Sequence, residues 1–212
     1  MAYNSKHVQI LDPEKWYNLI SDQYKQYHSH LDSFFNLEIF KFLPREYENL
    51  DIIDLGAWDG RVFKYFENVS FRKYVACDIA EKLLRKHPGK WIKVQKIVCD
   101  LNKKLPFDDE IFSIATSFFV LEHIENIEWL FGEVYRILKY WWKWIIGHFI
   151  QRREFEREHW KWKDRMRFKI QQYHYRLEEL KKIAEYNFFE FNYQEIVENW
   201  VLIWYLIVCK KK

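Results

Sequence analysis

The sequence predicts an α/β fold built on one mostly parallel sheet of seven strands, with helices on both faces and a C-terminal antiparallel hairpin. Apolar runs of strand length alternate with segments of helical periodicity between residues 51 and 149, and strands separated by helices pair in parallel. The last two apolar runs are separated only by Glu198-Asn199-Trp200, a gap that fits a hairpin. A length of 212 residues fits one domain, because two domains of half that size would have undersized cores.

Each element follows from its own pattern, in chain order. Helical spacing of apolar residues predicts a helix over 14–27 and a second over 37–43, which Pro44 ends. The predicted strands are 51–55, 74–78, 93–99, 111–117, 143–149, 188–197 and 201–209. The predicted helices between them lie near 61–66, 81–86, 127–138 and 177–186. We therefore divide the single domain 1–212 into a helical cap (1–48), a cofactor-binding core (49–150), a segment that could form a substrate lid (151–176) and a closing helix with hairpin (177–212).

Composition excludes few classes of function. The 34 basic and 31 acidic side chains leave a net charge of +3, which gives no strong reason to expect a nucleic-acid partner. Residues 1–15 lack the apolar core of a signal peptide and the longest apolar run, 201–209, is too short to span a bilayer, so we expect a cytoplasmic protein without a membrane segment. Cys77, Cys99 and Cys209 lack metal-ligand spacing; we expect no metal site and treat them as small core side chains.

The loops after the early strands are where a ligand is expected, because ligands of open parallel sheets bind outside the carboxyl ends of the strands. The first strand leads into Asp54-Leu55-Gly56-Ala57-Trp58-Asp59-Gly60, a turn whose small residues let the backbone approach a nucleotide-like ligand. The second strand ends at Asp78, about twenty residues further on, where a carboxylate can accept hydrogen bonds from both ribose hydroxyls. The third ends at Asp100.

This arrangement resembles class I S-adenosylmethionine-dependent methyltransferases. Their motif I, D-L-G-x-G-x-G, is matched at Asp54, Leu55, Gly56 and Gly60, whereas Trp58 stands where the middle glycine belongs. The segments Leu105-Pro106-Phe107-Asp108-Asp109, Val120-Leu121-Glu122-His123 and Arg136-Ile137-Leu138-Lys139 resemble three further segments of the family in the right order. The resemblance covers about residues 51–149 and implies a Rossmann-like fold, S-adenosylmethionine as cofactor, and methyl transfer to a small-molecule acceptor or to RNA.

The resemblance also implies roles for individual residues. In the family, an aspartate at the position of Asp100 accepts a hydrogen bond from the adenine amino group, and the next backbone amide, that of Leu101, contacts the ring. The predicted cofactor-binding set is Asp54, Gly56, Trp58, Gly60, Asp78, Ile79, Asp100, Leu101 and Phe118. A nicotinamide dehydrogenase is the less favoured alternative, since it normally needs a second domain. A second alternative is a non-catalytic protein of this fold that lost the cofactor because Trp58 fills the glycine loop.

Several tryptophans occupy positions that favour glycine. Trp58 lies in the cofactor turn, Trp141 and Trp142 follow the predicted end of a long helix, and Trp200 follows Asn199 between two strands, where Asn-Gly is a common hairpin turn. Less clear cases are Trp91, Trp160 and Trp162. The chain holds 11 tryptophans but only 5 glycines, against about 15 glycines expected for its length. We hypothesise that the gene uses UGA as a glycine codon and that these residues are glycines written as tryptophan; the alternative is a truly tryptophan-rich protein.

Few residues are diagnostic of the chemistry, because methyl transfer from a sulfonium needs positioning and at most a base. His123 and His148 lie at predicted loop or strand ends on the ligand side and are candidate bases, with a structural role as the alternative for each. Tyr24 either closes over the cofactor or belongs to the core. His28-Ser29-His30 lacks a third metal ligand. The charged stretch 151–169 could attract an anionic substrate or RNA, or form a solvated face.

Overall fold

A computed structural model describes residues 9–25, 49–66, 70–89, 92–150, 158–163, 166–198 and 200–212 of the chain. The strands are β1 (Gln9–Leu11), β2 (Leu50–Leu55), β3 (Phe71–Asp78), β4 (Val94–Val98), β5 (Phe112–Phe118), β6 (Leu138–Phe149), β7 (Glu158–Lys163), β8 (Met166–Gln171), β9 (Phe189–Glu198) and β10 (Val201–Lys211). The α-helices are α1 (Pro13–Ile20), α2 (Glu81–Lys86), α3 (Ile127–Ile137) and α4 (Leu177–Tyr186).

The larger sheet confirms the predicted fold class. Its seven strands follow the order β4-β3-β2-β5-β6-β10-β9. Strands β4, β3, β2, β5 and β6 are parallel, whereas β10 runs antiparallel to β6 and to β9, which makes the C-terminal hairpin. The chain moves outward from β2 through β3 to β4 and then returns to β5 on the other side of β2. The order therefore reverses between β2 and β5, and a ligand crevice is expected at their carboxyl ends.

Helices cover both faces of this sheet, as predicted. On one face, Trp16 and Ile20 of α1 and Leu83 of α2 pack with alternate residues of the central strands. On the other face, Leu130 of α3 and Leu180 of α4 pack with the intervening strand residues. Successive residues of a central strand point to opposite faces, and both faces are covered by helices. The central strands are therefore continuous apolar runs in the sequence. Among the helices of the described residues, none has both the length and the apolar character needed to span a bilayer.

Four local predictions need correction. The predicted helix near 61–66 is a 3₁₀ turn over Phe63–Tyr65, and the helix predicted to reach residue 27 is regular only to Ile20 before the 3₁₀ turn Ser21–Gln23. Strand β7, which contains Trp160 and Trp162, pairs antiparallel with β8, so the charged stretch 151–169 contains regular strands.

The cysteines also differ from the prediction. Cys77 and Cys99 form a disulfide, whereas Cys209 is a buried free thiol. The helix over 37–43, Trp91 and the 28–30 segment lie outside the described residues.

The prediction that Trp141 and Trp142 follow a helix C-terminus is also wrong. Helix α3 ends at Ile137 and β6 begins directly at Leu138. In the pairing of β5 with β6, Phe112 lies opposite Leu138, but Ile114 lies opposite Lys143. Residues 139–142 therefore form a bulge in β6. Trp141 has a left-handed backbone (φ 69) within this bulge, a position where glycine is favoured, whereas Trp142 does not.

Candidate active site

A cavity of about 320 Å³ opens at the carboxyl ends of β2, β3 and β5, where the strand order reverses. Its size falls in the range of small-molecule sites. Loops after the strands and the start of α1 supply its wall. The lining residues are Asp12, Pro13, Glu14, Tyr17, Gly56, Trp58, Asp78, Ile79, Asp100, Leu101, Asn102, Val120, His123, Ile124 and Glu125. Six of the nine predicted cofactor-binding residues therefore belong to one cavity: Gly56, Trp58, Asp78, Ile79, Asp100 and Leu101.

The glycine loop turns through alternate left-handed residues. Gly56, Trp58 and Gly60 have φ angles of 79°, 52° and 87°, which is the region that L side chains rarely adopt. A Cβ on Gly56 would lie 2.6 Å from a methyl carbon of Val120, so this position needs glycine for space as well as for conformation. Trp58 has the backbone of the missing middle glycine. That conformation supports the hypothesis that a glycine belongs at position 58.

Asp78 ends β3 inside the cavity wall. Its two carboxylate oxygens accept hydrogen bonds from the backbone N–H groups of Trp58 (2.9 Å) and Ala80 (2.8 Å). Burial raises the pKa of Asp78 to about 6, and the nearby Asp59 carboxylate adds to the rise while the backbone donors oppose it. These donors fix the carboxylate orientation, so it is already aimed for a hydroxyl-bearing ligand.

Asp100 follows β4 on the neighbouring strand. One of its oxygens accepts a hydrogen bond from the backbone N–H of Asn102 at 3.0 Å, and the other lies 3.2 Å from the Lys103 ammonium. Leu101 is buried beside it in the cavity wall. Because β3 and β4 are adjacent parallel strands, their terminal acids lie on the same side of one cavity.

Three predicted cofactor residues lie outside the cavity wall. The Asp54 carboxylate points into the core, where it accepts hydrogen bonds from Thr116 Oγ1 (2.7 Å) and the Tyr74 hydroxyl (2.9 Å), and burial raises its pKa to about 6. Gly60 packs against His87 and Pro88. Phe118 is buried with its ring edge against Trp204. The Asp54 carboxylate thus links β2 to β3 and β5 beneath the glycine loop.

The two candidate histidines have different surroundings. His123 lines the cavity, and its Nε2 lies 2.8 Å from the hydroxyl of Tyr17, whose own pKa is raised well above its usual value by burial. His148 lies outside the wall; its Nε2–H donates to the Tyr175 carbonyl at 2.8 Å, and burial lowers its pKa to about 4. His148 is therefore neutral at pH 7 and held by the backbone.

Sequence reasoning missed the contribution of α1. Asp12 caps this helix by accepting a hydrogen bond from the Lys15 backbone N–H at 2.8 Å, and Asp12, Glu14 and Tyr17 all reach the cavity wall. Tyr17 belongs to the helix that apolar periodicity predicts over 14–27, and that periodicity says nothing about a cavity. The signal that could have found it is its hydroxyl, which needs a partner when buried. Tyr24 is buried against Trp58 and lies outside the wall.

Arg136 explains why two of the family-like segments occur together. Its guanidinium donates to the carbonyls of Phe107 (2.6 Å) and Leu105 (3.2 Å) and pairs with Asp109 and Glu133. The arginine of the R-I-L-K segment thus fixes the L-P-F-D-D loop to α3. Both segments serve the scaffold, away from the cavity.

Comparisons with known proteins agree with this geometry. Residues 53–140 match the family model described as "Methyltransferase domain". A demethylmenaquinone methyltransferase of Leptospira interrogans is 28% identical over 137 residues, which is 58% of this chain and 54% of that protein. The chain thus spans about half the length of the curated relatives it matches.

Solved structures share the fold at low sequence identity. An S-adenosylmethionine-dependent methyltransferase of Mesorhizobium loti has a TM-score of 0.67 at 16% identity, covering 82% of this chain and 95% of that one. A Thermotoga maritima S-adenosylmethionine-dependent methyltransferase, described as a possible histamine N-methyltransferase, has a TM-score of 0.68 at 16% identity, covering 94% and 99%. A Haloferax volcanii complex with the Trm112 methyltransferase activator has a TM-score of 0.70 at 11% identity, covering 95% and 99%.

The fold is that of the class I S-adenosylmethionine-dependent methyltransferases. Residues 53–140 are the part of this fold that matches the methyltransferase-domain model. The resemblance drawn from the glycine loop and the segments after it is confirmed by these matches.

Proposed function

We propose that this protein transfers a methyl group from S-adenosylmethionine to a small-molecule acceptor. The observation that carries the proposal is the position of Asp78 and Asp100, two acids at the ends of adjacent strands in one cavity beside a glycine loop. A nucleoside carries two ribose hydroxyls and an adenine amino group, which are donors for two such carboxylates. The matched family and the methyltransferase relatives support the same activity.

The cavity wall fits the nucleoside half of the cofactor. Asp78 would hold the ribose, Asp100 and the Leu101 backbone the adenine, and Gly56 leaves room for close approach. We name this part of the wall, Asp78, Ile79, Asp100 and Leu101, the nucleoside end. Trp58 also lines the cavity, and we name the part of the wall that it contributes the methionine end. An indole there takes the space of an amino-acid chain, so the fit is complete only with a small residue at position 58.

Bound S-adenosylmethionine supplies an electrophilic methyl group on a sulfonium. The acidic wall stabilises a positive charge by simple Coulomb attraction, and the enclosing cavity strengthens that attraction. Holding the methyl group and the nucleophile in line accounts for most of the rate in such a reaction. The protein's task is therefore largely one of positioning.

His123 is the base that we assign. A base that works near pH 7 needs a pKa near neutrality, and imidazole is the side chain whose ordinary pKa is closest to it. Among the described residues of the cavity wall, His123 is the histidine. In the tautomer with Nε2 unprotonated, the Tyr17 hydroxyl, 2.8 Å from Nε2, would donate to it and would in turn accept a proton from the acceptor. The acceptor then loses one proton, which His123 takes, and gains one methyl group. His148 has a structural role in this scheme, since its Nε2–H donates a hydrogen bond to the Tyr175 carbonyl.

The acceptor is proposed to be small because the cavity is formed by loops and α1 around a limited volume. The relatives named demethylmenaquinone methyltransferases and the Thermotoga maritima structure described as a possible histamine N-methyltransferase both point to small molecules as acceptors. RNA remains the alternative acceptor, with 151–176 as the proposed substrate lid.

Calorimetric binding of S-adenosylhomocysteine tests the proposal. We expect binding to a variant with glycine at positions 58, 141, 142 and 200, and loss of that binding when Asp78→Ala is added. Circular dichroism establishes that each variant is folded. A folded glycine variant that binds neither S-adenosylhomocysteine nor any adenine nucleoside would refute the methyltransferase and support the non-catalytic alternative.

A further inference from the structure

The disulfide between Cys77 and Cys99 lies directly behind the nucleoside end of the cavity. Each cysteine immediately precedes one of the two acids proposed to bind the nucleoside, Asp78 and Asp100. Both cysteines are buried in the core on the face of the sheet that α3 and α4 cover. The crosslink therefore joins the two strand ends that carry the carboxylates of the nucleoside end.

The backbone of each cysteine also contacts the site. The Cys77 carbonyl accepts hydrogen bonds from the backbone N–H groups of Gly56 (2.8 Å) and Ala57 (3.0 Å) in the glycine loop. The Cys99 backbone N–H donates to the Asp78 carbonyl at 3.0 Å. A shift of either cysteine would therefore displace residues that form the cavity wall.

The two strands depend on the crosslink to different degrees. Strand β3 pairs with β2 on one side and with β4 on the other, whereas β4 is an edge strand of the larger sheet. The ladder between β3 and β4 ends where Asp78 lies opposite Val98. Cys99 and Asp100 follow this last pair, and the disulfide links them covalently to β3. Because ordering a binding group before the ligand arrives lowers the cost of binding, we expect Asp100 to bind best in the crosslinked protein.

We propose that Cys77 and Cys99 form a redox site that regulates binding of the nucleoside, with the disulfide form binding it more tightly than the dithiol form. This inference rests on the proposed function, since the nucleoside is that of S-adenosylmethionine. In the oxidising step the two thiols lose two protons and two electrons and one S–S bond forms. The oxidant is a small disulfide such as glutathione disulfide, which is reduced to two thiols through a mixed disulfide, and the reverse exchange opens the crosslink.

Calorimetry with 5′-methylthioadenosine, which has the nucleoside of the cofactor and lacks its amino acid, tests the proposal. The protein is full-length Trp58→Gly, equilibrated with glutathione disulfide or with reduced glutathione, and mass spectrometry after alkylation measures its thiol content. We expect the disulfide form to bind about fivefold to fiftyfold more tightly than the dithiol form.

Three results would overturn the redox site: equal affinity of the two folded forms, tighter binding by the dithiol form, or unfolding of the reduced chain in circular dichroism. The last result would mean that the crosslink only stabilises the fold. Failure of both folded forms to bind any adenine nucleoside would instead overturn the proposed function.

Cysteine variants of Trp58→Gly locate the effect. Cys77→Ala/Cys99→Ala should bind 5′-methylthioadenosine as weakly as the dithiol form does, in either glutathione state. Cys209→Ala is the matched control, because it removes the buried free thiol on β10, and it should retain the full difference between the redox forms. A redox effect that persists in the double variant, or that disappears in Cys209→Ala, would contradict the assignment.

Linkage gives a readout that needs no cysteine variant. If the disulfide form binds the nucleoside more tightly, the nucleoside must make the disulfide harder to reduce by the same factor. In a glutathione titration of Trp58→Gly, saturating 5′-methylthioadenosine should therefore lower the midpoint potential of the pair, by about 30 mV for a tenfold preference. A midpoint that the ligand leaves unchanged would refute the coupling between the redox site and the cavity.

Discussion

The two ends of the cavity are built differently. At the nucleoside end, Asp78 and Asp100 end neighbouring strands and backbone N–H groups hold their carboxylates. At the methionine end, Trp58 has a glycine-like backbone and a buried indole. One end presents two carboxylates to the cavity, whereas the other carries a bulky side chain on a glycine-like backbone. The contrast indicates that residue 58 limits the space at its end of the cavity.

The largest effect is expected at the nucleoside end. In a Trp58→Gly background, Asp78→Ala removes the acceptor for two ribose hydroxyls, each of which contributes about 1.5–3 kcal/mol when bonded to a charged group. We expect S-adenosylhomocysteine and 5′-methylthioadenosine both to weaken by about a hundredfold or more in calorimetry.

Asp12→Asn is the matched control, because it changes a wall carboxylate on α1 and retains a helix-capping side chain. Its affinity for both ligands should stay within about threefold. Equal losses in the two variants would mean that the strand-end acid has no special role.

A second effect follows from the pKa of Asp78, which burial raises to about 6. Only the ionised carboxylate accepts from both ribose hydroxyls, and at pH 5 it forms about one tenth of the population. S-Adenosylhomocysteine should therefore bind Trp58→Gly about tenfold more weakly at pH 5 than at pH 7. The same titration with Asp78→Asn should be flat; a parallel loss in that variant would assign the pH dependence to another group.

A third prediction tests whether His148 belongs to the scaffold. Burial lowers its pKa to about 4, so protons bind the unfolded chain more readily between pH 4 and 6.5. Its contribution to stability is therefore complete above pH 6.5 and is lost as the pH falls towards 4. Between pH 7 and 5.5, the chain should lose about 1 kcal/mol more than His148→Asn in urea unfolding. Parallel losses would place the histidine in a solvated environment.

The smallest effect concerns the left-handed tryptophans. Trp200 is 99% exposed with φ 63, so glycine removes strain there and sacrifices almost no packing. We expect Trp200→Gly to raise the free energy of unfolding by about 0.5–1 kcal/mol. Trp129, 45% exposed within α3, is the control, and Trp129→Gly should lower it by about 1 kcal/mol. A loss at Trp200 as large as that at Trp129 would argue against glycine at the left-handed sites.

The nucleoside end could be predicted from the sequence because it depends on few contacts. Parallel strands bring their carboxyl ends to one edge, so Asp78 and Asp100 follow once the strands are located. The partners of Asp54 were harder to predict: the last residues of a strand alternate between the faces, and one residue decides whether a carboxylate meets the cavity or the core. Only the packed structure resolves that choice.

The contribution of α1 and the burial of Arg61 could not be predicted. Tyr17 reaches His123 across 106 positions of the chain, a contact that helical periodicity does not encode. Arg61 follows the glycine loop in sequence, but its burial between Tyr24 and Trp58 depends on the packing of the N-terminal region against that loop. The β6 bulge was missed because the apolar run before residue 143 is continuous with the helix.

The pairing of β1 with β8 has a mechanical consequence. Residues Gln9–Leu11 run parallel to Phe168–Ile170, directly ahead of the helix that supplies Tyr17 to the cavity wall. The β1 strand ahead of α1 is thereby hydrogen-bonded to β8, which follows β6 in the sequence. A motion that swings α1 away from the cavity would therefore have to break this pairing or carry β8 with it.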